Sequence, residues 1–246
     1  MAMSDESEIP TRLNQIPTEW GLILEAHEPS SPCVIEARNA MVMRYATAIR
    51  RYVGAILQND DEADDLAQDV IVRLLQGDFG GADPLRGRFR DLLGTALRNM
   101  TSSHFTKKKR RRPVEHDLTQ VATPNTDDPV WVEAWREHLL SMAWSKLEHS
   151  ERKNAGSVVH AVLRLRTDQP DADMEQLAEQ LSQKIGRSMN AAAFRQQLRR
   201  SRIQFAEYLT REVMAGLKDA SPERLWDELI ALGLYEQVRD FMRSGS

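Results

Sequence analysis

Two stretches of this chain carry Lys and Arg almost without acids. Between Arg86 and Arg112 ten basic residues stand against one acid, Asp91; from Ser182 to Phe205 six stand against none. Charge packed this densely creates a local potential that the overall balance hides, since 33 Lys+Arg against 37 Asp+Glu leave a net charge of −4. Each phosphate neutralised by Lys or Arg releases counterions, so two separated basic stretches point to a long polyanion, DNA or RNA, rather than a small ligand. Acids gather elsewhere, in Asp60, Asp61, Glu62, Asp64, Asp65 and Asp69. Groups for catalysis are missing. The six His are scattered without metal-ligand spacing, and the single Cys33 excludes an internal disulfide and a cysteine-rich zinc site. No nucleophile–base set and no Gly-rich phosphate loop is present. No metal or cofactor is expected, and an enzyme is the least favoured class.

The second basic stretch has an order beyond its charge. Met174 to Leu181 reads as a short amphipathic helix, Ser182 to Met189 contains Gly186 and turns, and a second helix begins at Asn190. This pattern predicts a helix-turn-helix, with a turn longer than the usual three or four residues. Phe194, Leu198 and Ile203 would face the core. Arg195, Gln196, Arg199 and Arg202 would point outward, with side chains able to reach base edges and phosphates in a major groove.

Those side chains need helices to carry them. At 41% the hydrophobic share of the 246 residues is enough for a core. The 12 Gly and 10 Pro are sparse and clustered, and between them no strand-like alternation occurs. The expectation is an all-α protein. A first short helix starts at Thr18 and is broken by Pro29 to Pro32. A long one runs from Val34 to Leu57 on Met41, Tyr45, Ile49, Tyr52 and Ile56. The acids from Asp60 open a third, where negative charge suits the helix dipole, with Ala63, Leu66, Ala67, Val70 and Leu74 inward. After the Gly- and Pro-rich loop Gly77 to Gly87, a fourth runs from Phe89 to Phe105. Pro113 to Asp128 has acids, Pro and Thr but no Lys or Arg, and reads as a linker. Asp128-Pro129, a cap followed by Pro, opens a second helical unit with helices near 130–148, 154–166, 173–184 and 190–217, and a final pair near 222–243. Trp20, Trp131, Trp135, Trp144 and Trp226 fall at apolar helical positions and are expected in cores. No stretch approaches the length of a transmembrane helix, and the polar, acidic MAMSDESEIP is unlike a secretory signal, so a cytoplasmic location without membrane insertion is expected.

With both units in view, the chain resembles an extracytoplasmic-function (ECF) sigma factor of bacterial RNA polymerase. Asp61 to Leu75 is similar to region 2.2 of that family. Arg86-Gly-Arg-Phe-Arg-Asp-Leu-Leu-Gly-Thr-Ala-Leu-Arg-Asn99 with the basic run after it is similar to regions 2.3 and 2.4, and the helix-turn-helix ending Leu198-Arg-Arg-Ser-Arg202 to region 4.2. The pieces at 130–166 and the tail with Glu228 to Leu234 are similar to a divergent branch seen in planctomycetes. Where the family often has Trp this chain has Leu92, and Ala193 stands where many relatives carry Thr.

The resemblance implies two helical domains joined by a flexible linker: an extension over 1–33, a region 2-like domain over 34–112, the linker 113–128, a region 4-like domain over 129–217 and a helical tail over 218–246. It implies core RNA polymerase as partner, through the clamp helices of the largest subunit and the flap region, and promoter DNA. An anti-sigma factor or another regulator is a further expected partner, with the N-terminal extension or the tail as a regulatory element. On this resemblance Asp61, Asp65, Gln68, Asp69 and Arg73 face the polymerase. The loop Gly80 to Arg88 captures a flipped base of the minus-ten element. Arg86, Arg88, Phe89, Arg90, Arg98, Asn99, Lys107, Lys108, Lys109 and Arg110 contact the opened strand, and Arg195, Gln196, Arg199 and Arg202 read the minus-thirty-five element. The linker threads polymerase toward the RNA exit path. The rival reading is a stand-alone helix-turn-helix regulator, which leaves the acidic helix and the first basic stretch without a task. A second rival is a helical adaptor that binds neither DNA nor polymerase.

Overall fold

The computed structural model describes residues 19–79, 88–111, 128–217 and 221–244. Among them the chain forms ten helices and no strand. These are α1 (Glu19–Ala26), α2 (Val34–Leu57), α3 (Asp60–Gln76), α4 (Phe89–Arg111), α5 (Pro129–Lys153), α6 (Val159–Asp168), α7 (Met174–Ile185), α8 (Ala191–Ala215), α9 (Pro222–Ala231) and α10 (Tyr235–Ser244). The all-α expectation holds, and α4 runs further than its apolar pattern suggested, into the basic run. Lys and Arg are good helix formers, so charge alone does not end a helix. Two compact units divide inside α5. One takes the described residues up to His138 together with Met214–Arg224; the other takes Leu139–Val213 and the residues from Leu225 on.

In the first unit α2 buries Ala37, Met41, Tyr45, Ile49, Tyr52 and Val53, the stripe its three- and four-residue spacing predicts. Helix α3 buries Ala63, Leu66, Ala67, Val70 and Leu74. It opens at Asn59, whose side chain accepts the Glu62 N–H at 3.0 Å, and Asp60, Asp61 and Glu62 load its first turn with the sign the dipole favours. Helix α4 buries Phe89, Leu93, Leu97 and Thr101, one face at steps of four. Phe89 sits 5.1 Å from the Tyr45 ring and 6.0 Å from Phe79, centroid to centroid.

The first ten residues of α5 complete this core. Asp128 caps the helix, its side chain accepting the Val130 N–H at 3.0 Å. Trp131 and Trp135 are 2% and 3% exposed. The Trp131 indole N–H donates to the Arg90 carbonyl at 2.9 Å, and Trp131 meets Tyr52 edge-on at 5.8 Å. Trp135 stacks on Tyr45 at 5.4 Å.

Arg38 fastens the other end of the unit. Its Nε donates to the Ala26 carbonyl at 2.8 Å and its Nη1 to the Leu75 carbonyl at 3.1 Å, joining the ends of α1 and α3. Gly77, which ends α3, has φ +80°, and a Cβ there would lie 2.7 Å from Arg38 Nη2. Gly77→Ala is therefore expected to destabilise the protein by about 1–2 kcal/mol through the left-handed backbone alone, with the displaced Arg38 adding to it. Urea unfolding of both proteins checks this; an unchanged midpoint would contradict it.

In the second unit α7 buries Leu177, Ala178 and Leu181, and α8 buries Phe194, Leu198, Phe205, Ala206 and Leu209. Trp144 on α5 is half-buried, 5.0 Å from the Phe205 ring. The buried carboxylate Glu212 is paired with Lys146. Helices α9 and α10 join through Gly233 at φ 63° and contribute Leu225, Leu229 and Val238.

Candidate functional site

Helix α3 turns two chemically distinct faces in opposite directions. Its apolar residues are buried as above, while Asp61, Asp65, Gln68, Asp69 and Arg73 are all exposed. None of these five side chains forms a hydrogen bond or ion pair with another described residue, so all five side chains are available to a partner. Val72 and Leu75 are exposed beside them, 40% and 39%. The result is an acidic surface with an apolar edge, suited to a partner offering cations around an apolar contact.

Glu62 lies at the start of the same helix and does something else. Its carboxylate accepts from Lys108 Nζ at 2.6 and 2.9 Å and meets His104 Nε2 at 2.9 Å. The Lys108 hydrogen bond first, and His104 second, hold the Glu62 carboxyl below its ordinary range. One acid of α3 thus clips the basic end of α4.

Along α4 the basic residues are not equivalent. Asn99 and Lys107 are exposed, whereas Lys108 is engaged by Glu62. Arg88 is half-buried and its Nε donates to Asp91 Oδ2 at 2.8 Å. Arg98 lies 3.5 Å from Asp128 Oδ2. Phe89 and Arg90, expected at the nucleic-acid surface, are instead 2% and 7% exposed. Phe89 fills the space between Tyr45 and Phe79, and the Arg90 guanidinium stays beside Asp91, 3.8 Å from Oδ1. Neither, so placed, presents a side chain to a DNA strand. Lys109 and Arg110 belong to the last turns of α4. Arg86, most of the loop Gly80 to Arg88, and almost all of the linker 113–128 lie outside the described residues. The apolar groups α4 does expose are Leu92 and Phe105, 38% and 46%.

Asp128 is the functional side chain that sequence reasoning undervalued. It was legible as a helix cap, and it is one. It also accepts the Tyr52 hydroxyl proton at 2.8 Å and receives Arg98, so it ties α2, α4 and α5 together. Burial first, then the Asp128 hydrogen bond, pushes the Tyr52 hydroxyl pKa well above its ordinary value.

In the second unit Asn190 opens α8, its Oδ1 accepting the Ala193 N–H at 2.8 Å. The segment between α7 and α8 is pinned by Ser182, whose hydroxyl accepts the Met189 N–H at 2.8 Å and donates to the Ala178 carbonyl at 2.7 Å. Gly186 turns the chain at φ 66°. Arg195, Gln196, Arg199 and Arg202 are all exposed on α8. Arg195 has a weak tie to Glu175 at 3.4 Å, and Arg199 and Arg202 have no acidic partner among the described residues.

Residues 41–111 match the family Sigma-70 region 2. The stretch so matched takes in most of α2 and all of α3 and α4, the helices that carry the acidic surface and the first basic stretch. Region 2 is the module with which sigma-70 factors bind core RNA polymerase and promoter DNA and take part in promoter melting, and residues 41–111 of this chain are similar to it. The match supports a sigma-70 family factor, and the members of that family are transcription initiation factors without enzymatic activity. No curated protein and no solved structure matches the chain. Among the described residues no helix is long and apolar enough to cross a membrane, and no cluster of His, Cys, Asp and Glu could hold a metal ion.

Proposed function

We propose that the chain is an ECF-type sigma factor: it binds core RNA polymerase, recognises a two-part promoter and helps open the strands. The observation that carries this reading is the α3 surface. Asp61, Asp65, Gln68, Asp69 and Arg73 stand free on a helix whose other face is sealed into the core, inside the stretch that matches region 2. On this reading they dock on the clamp helices of the largest polymerase subunit. The strand-holding groups on α4 are Asn99, Lys107, Lys109 and Arg110, with Arg98 and Lys108 joining once released from Asp128 and Glu62. Region 2 function then belongs to α2–α4 with the start of α5. Helices α7 and α8 form a region 4-like helix-turn-helix, supported by the free Arg199, Arg202 and Gln196 on α8, and read the minus-thirty-five element while the unit contacts the flap region. A cytoplasmic location and control by an anti-sigma partner follow from the same reading.

Gel filtration of the full chain with core RNA polymerase tests it. The wild type is expected to co-elute, and Asp65→Ala combined with Asp69→Arg to lose co-elution while keeping its helical circular dichroism. Both substitutions are on an exposed face, so the fold should tolerate them. If the double variant still co-elutes, the α3 surface is not the polymerase contact. A wild type that binds duplex DNA tightly but never polymerase would return the stand-alone regulator to first place.

A further inference from the structure

A cleft of about 830 Å³ opens in the second unit between α5, α6 and α8. That volume falls in the range of small-molecule pockets, about 300–1,000 Å³. Leu140, Trp144, Met174 and Ile203 line its floor, and all four are only half-buried. The cleft therefore holds apolar surface that no other described residue covers. One wall carries Arg195, Arg199 and Arg202, a row about 10 Å long on α8. Arginines elsewhere in the unit are spoken for: Arg211 is paired with Glu207, and Arg164, 5.7 Å over the Trp144 ring, with Asp168 at 3.2 Å. At the cleft Arg195 has only the weak tie to Glu175, and Arg199 and Arg202 have no acidic partner among the described residues. The acid at the cleft's edge, Glu236, is taken by Arg239 at 2.7 Å.

Two free guanidinium groups beside an apolar floor specify a small ligand in two parts. Guanidinium groups bind phosphate through paired, charge-assisted hydrogen bonds, and a phosphomonoester brings a charge of about −1.5 to −2, which two arginines balance. The floor asks for an apolar body of several carbons. A nucleotide supplies the phosphate but sets a polar sugar and base against Leu140, Met174 and Ile203. A hydrocarbon chain covers the same side chains at no cost in unpaired polar groups.

We propose that this cleft is a binding site for a phosphomonoester carried on a hydrocarbon chain, with Arg199 and Arg202 holding the phosphate and Leu140, Trp144, Met174 and Ile203 receiving the chain. Arg195, at the end of the same row, closes on the phosphate by exchanging Glu175 for it. The site stands on the cleft alone and does not depend on the reading of α8 as a DNA-contacting helix. The same chemistry has two sources, a free alkyl or acyl phosphate and the phosphate headgroup of a lipid in a bilayer.

Calorimetry of the full chain with decyl phosphate, kept below its micellar concentration, tests the site. Affinity should rise by about threefold for each methylene between hexyl and decyl phosphate, as burial of the chain requires. Decanol, which lacks the charge, should bind at least about tenfold more weakly. Arg199→Gln with Arg202→Gln should weaken decyl phosphate at least about tenfold. Arg50→Gln with Lys107→Gln removes the same charge from exposed positions of the first unit and should change nothing. Thr167→Trp, which narrows the cleft from α6, should weaken decyl phosphate without touching an arginine. Circular dichroism confirms that all three variants fold. Sedimentation with phosphatidylcholine vesicles, with and without phosphatidic acid, separates the two sources. Pelleting that needs phosphatidic acid and is lost in the Arg199, Arg202 variant identifies a bilayer headgroup, and binding of free decyl phosphate without pelleting identifies a soluble ligand. A wild type that takes neither probe overturns the proposal. So does decyl phosphate that binds no better than decanol, or that weakens equally in the two double variants.

Discussion

Trp131→Ala is expected to remove about 3–5 kcal/mol of stability from the first unit, a large share of what a domain possesses. The indole is 2% exposed and lies between α2, through Tyr52, and α4, through the Arg90 carbonyl. Truncation leaves a cavity walled by two helices that cannot close on it without shifting, and it leaves the Arg90 carbonyl short of a buried donor. The fit is tight from the other side too. A Cβ on Gly94 would stand 2.5 Å from the Trp131 ring, so Gly94→Ala should force the same helices apart. Hydrogen exchange of the full chain is the measurement, because it reports the first unit by itself: amides of α2 and α4 should lose protection in both variants while those of α7 keep theirs. Unchanged protection in α2 and α4 would mean that the start of α5 is an ornament to the region 2 core.

The second large effect is expected at Asp128. Asp128→Ala removes a helix cap, typically worth about 1 kcal/mol, and leaves the buried Tyr52 hydroxyl without its acceptor, costing roughly a further 1–3 kcal/mol. The Arg98 pair is partly screened by solvent and adds less. The Tyr52 link also has a pH signature. In the folded protein the hydroxyl pKa is raised, so the protonated form is the one the fold favours. Its contribution is fully present below the ordinary tyrosine value of about 10 and is lost as pH climbs beyond it. Wild-type stability should therefore fall more steeply on the alkaline side than that of Tyr52→Phe, whose hydrogen bond is absent at every pH. Urea midpoints measured on both sides of that value decide it, and parallel alkaline limbs would refute the link. Asp128→Ala also frees Arg98. If Arg98 holds the opened strand, this variant should bind single-stranded DNA more tightly than its loss of stability would suggest.

Much of this protein is local, and local patterns were legible from the chain. The start of α3 among acids, the start of α5 at Asp128-Pro129 and the inward stripes of α2 and α3 follow from caps, dipole and helical periodicity. These forces act within one or two turns. The outward set on α3 and the arginine face of α8 were predictable for the same reason, since a helix that buries one stripe must expose the other.

What tertiary structure alone decided is which charged groups remain free and which core each tryptophan joins. The basic stretch from Arg86 to Arg112 reads in sequence as one patch of equivalent cations. In the fold, Lys108 is taken by Glu62 and Arg98 by Asp128, acids 46 and 30 positions away, while Arg90 is buried beside Asp91. Trp131 and Trp135 follow the linker in sequence, yet they pack on Tyr45, Tyr52 and the Arg90 carbonyl of the region 2 core. Periodicity assigns a side chain to the buried face of its own helix but says nothing about which helix lies opposite. Pairing energy depends on distance and burial, and both are set only when helices far apart in the chain come together.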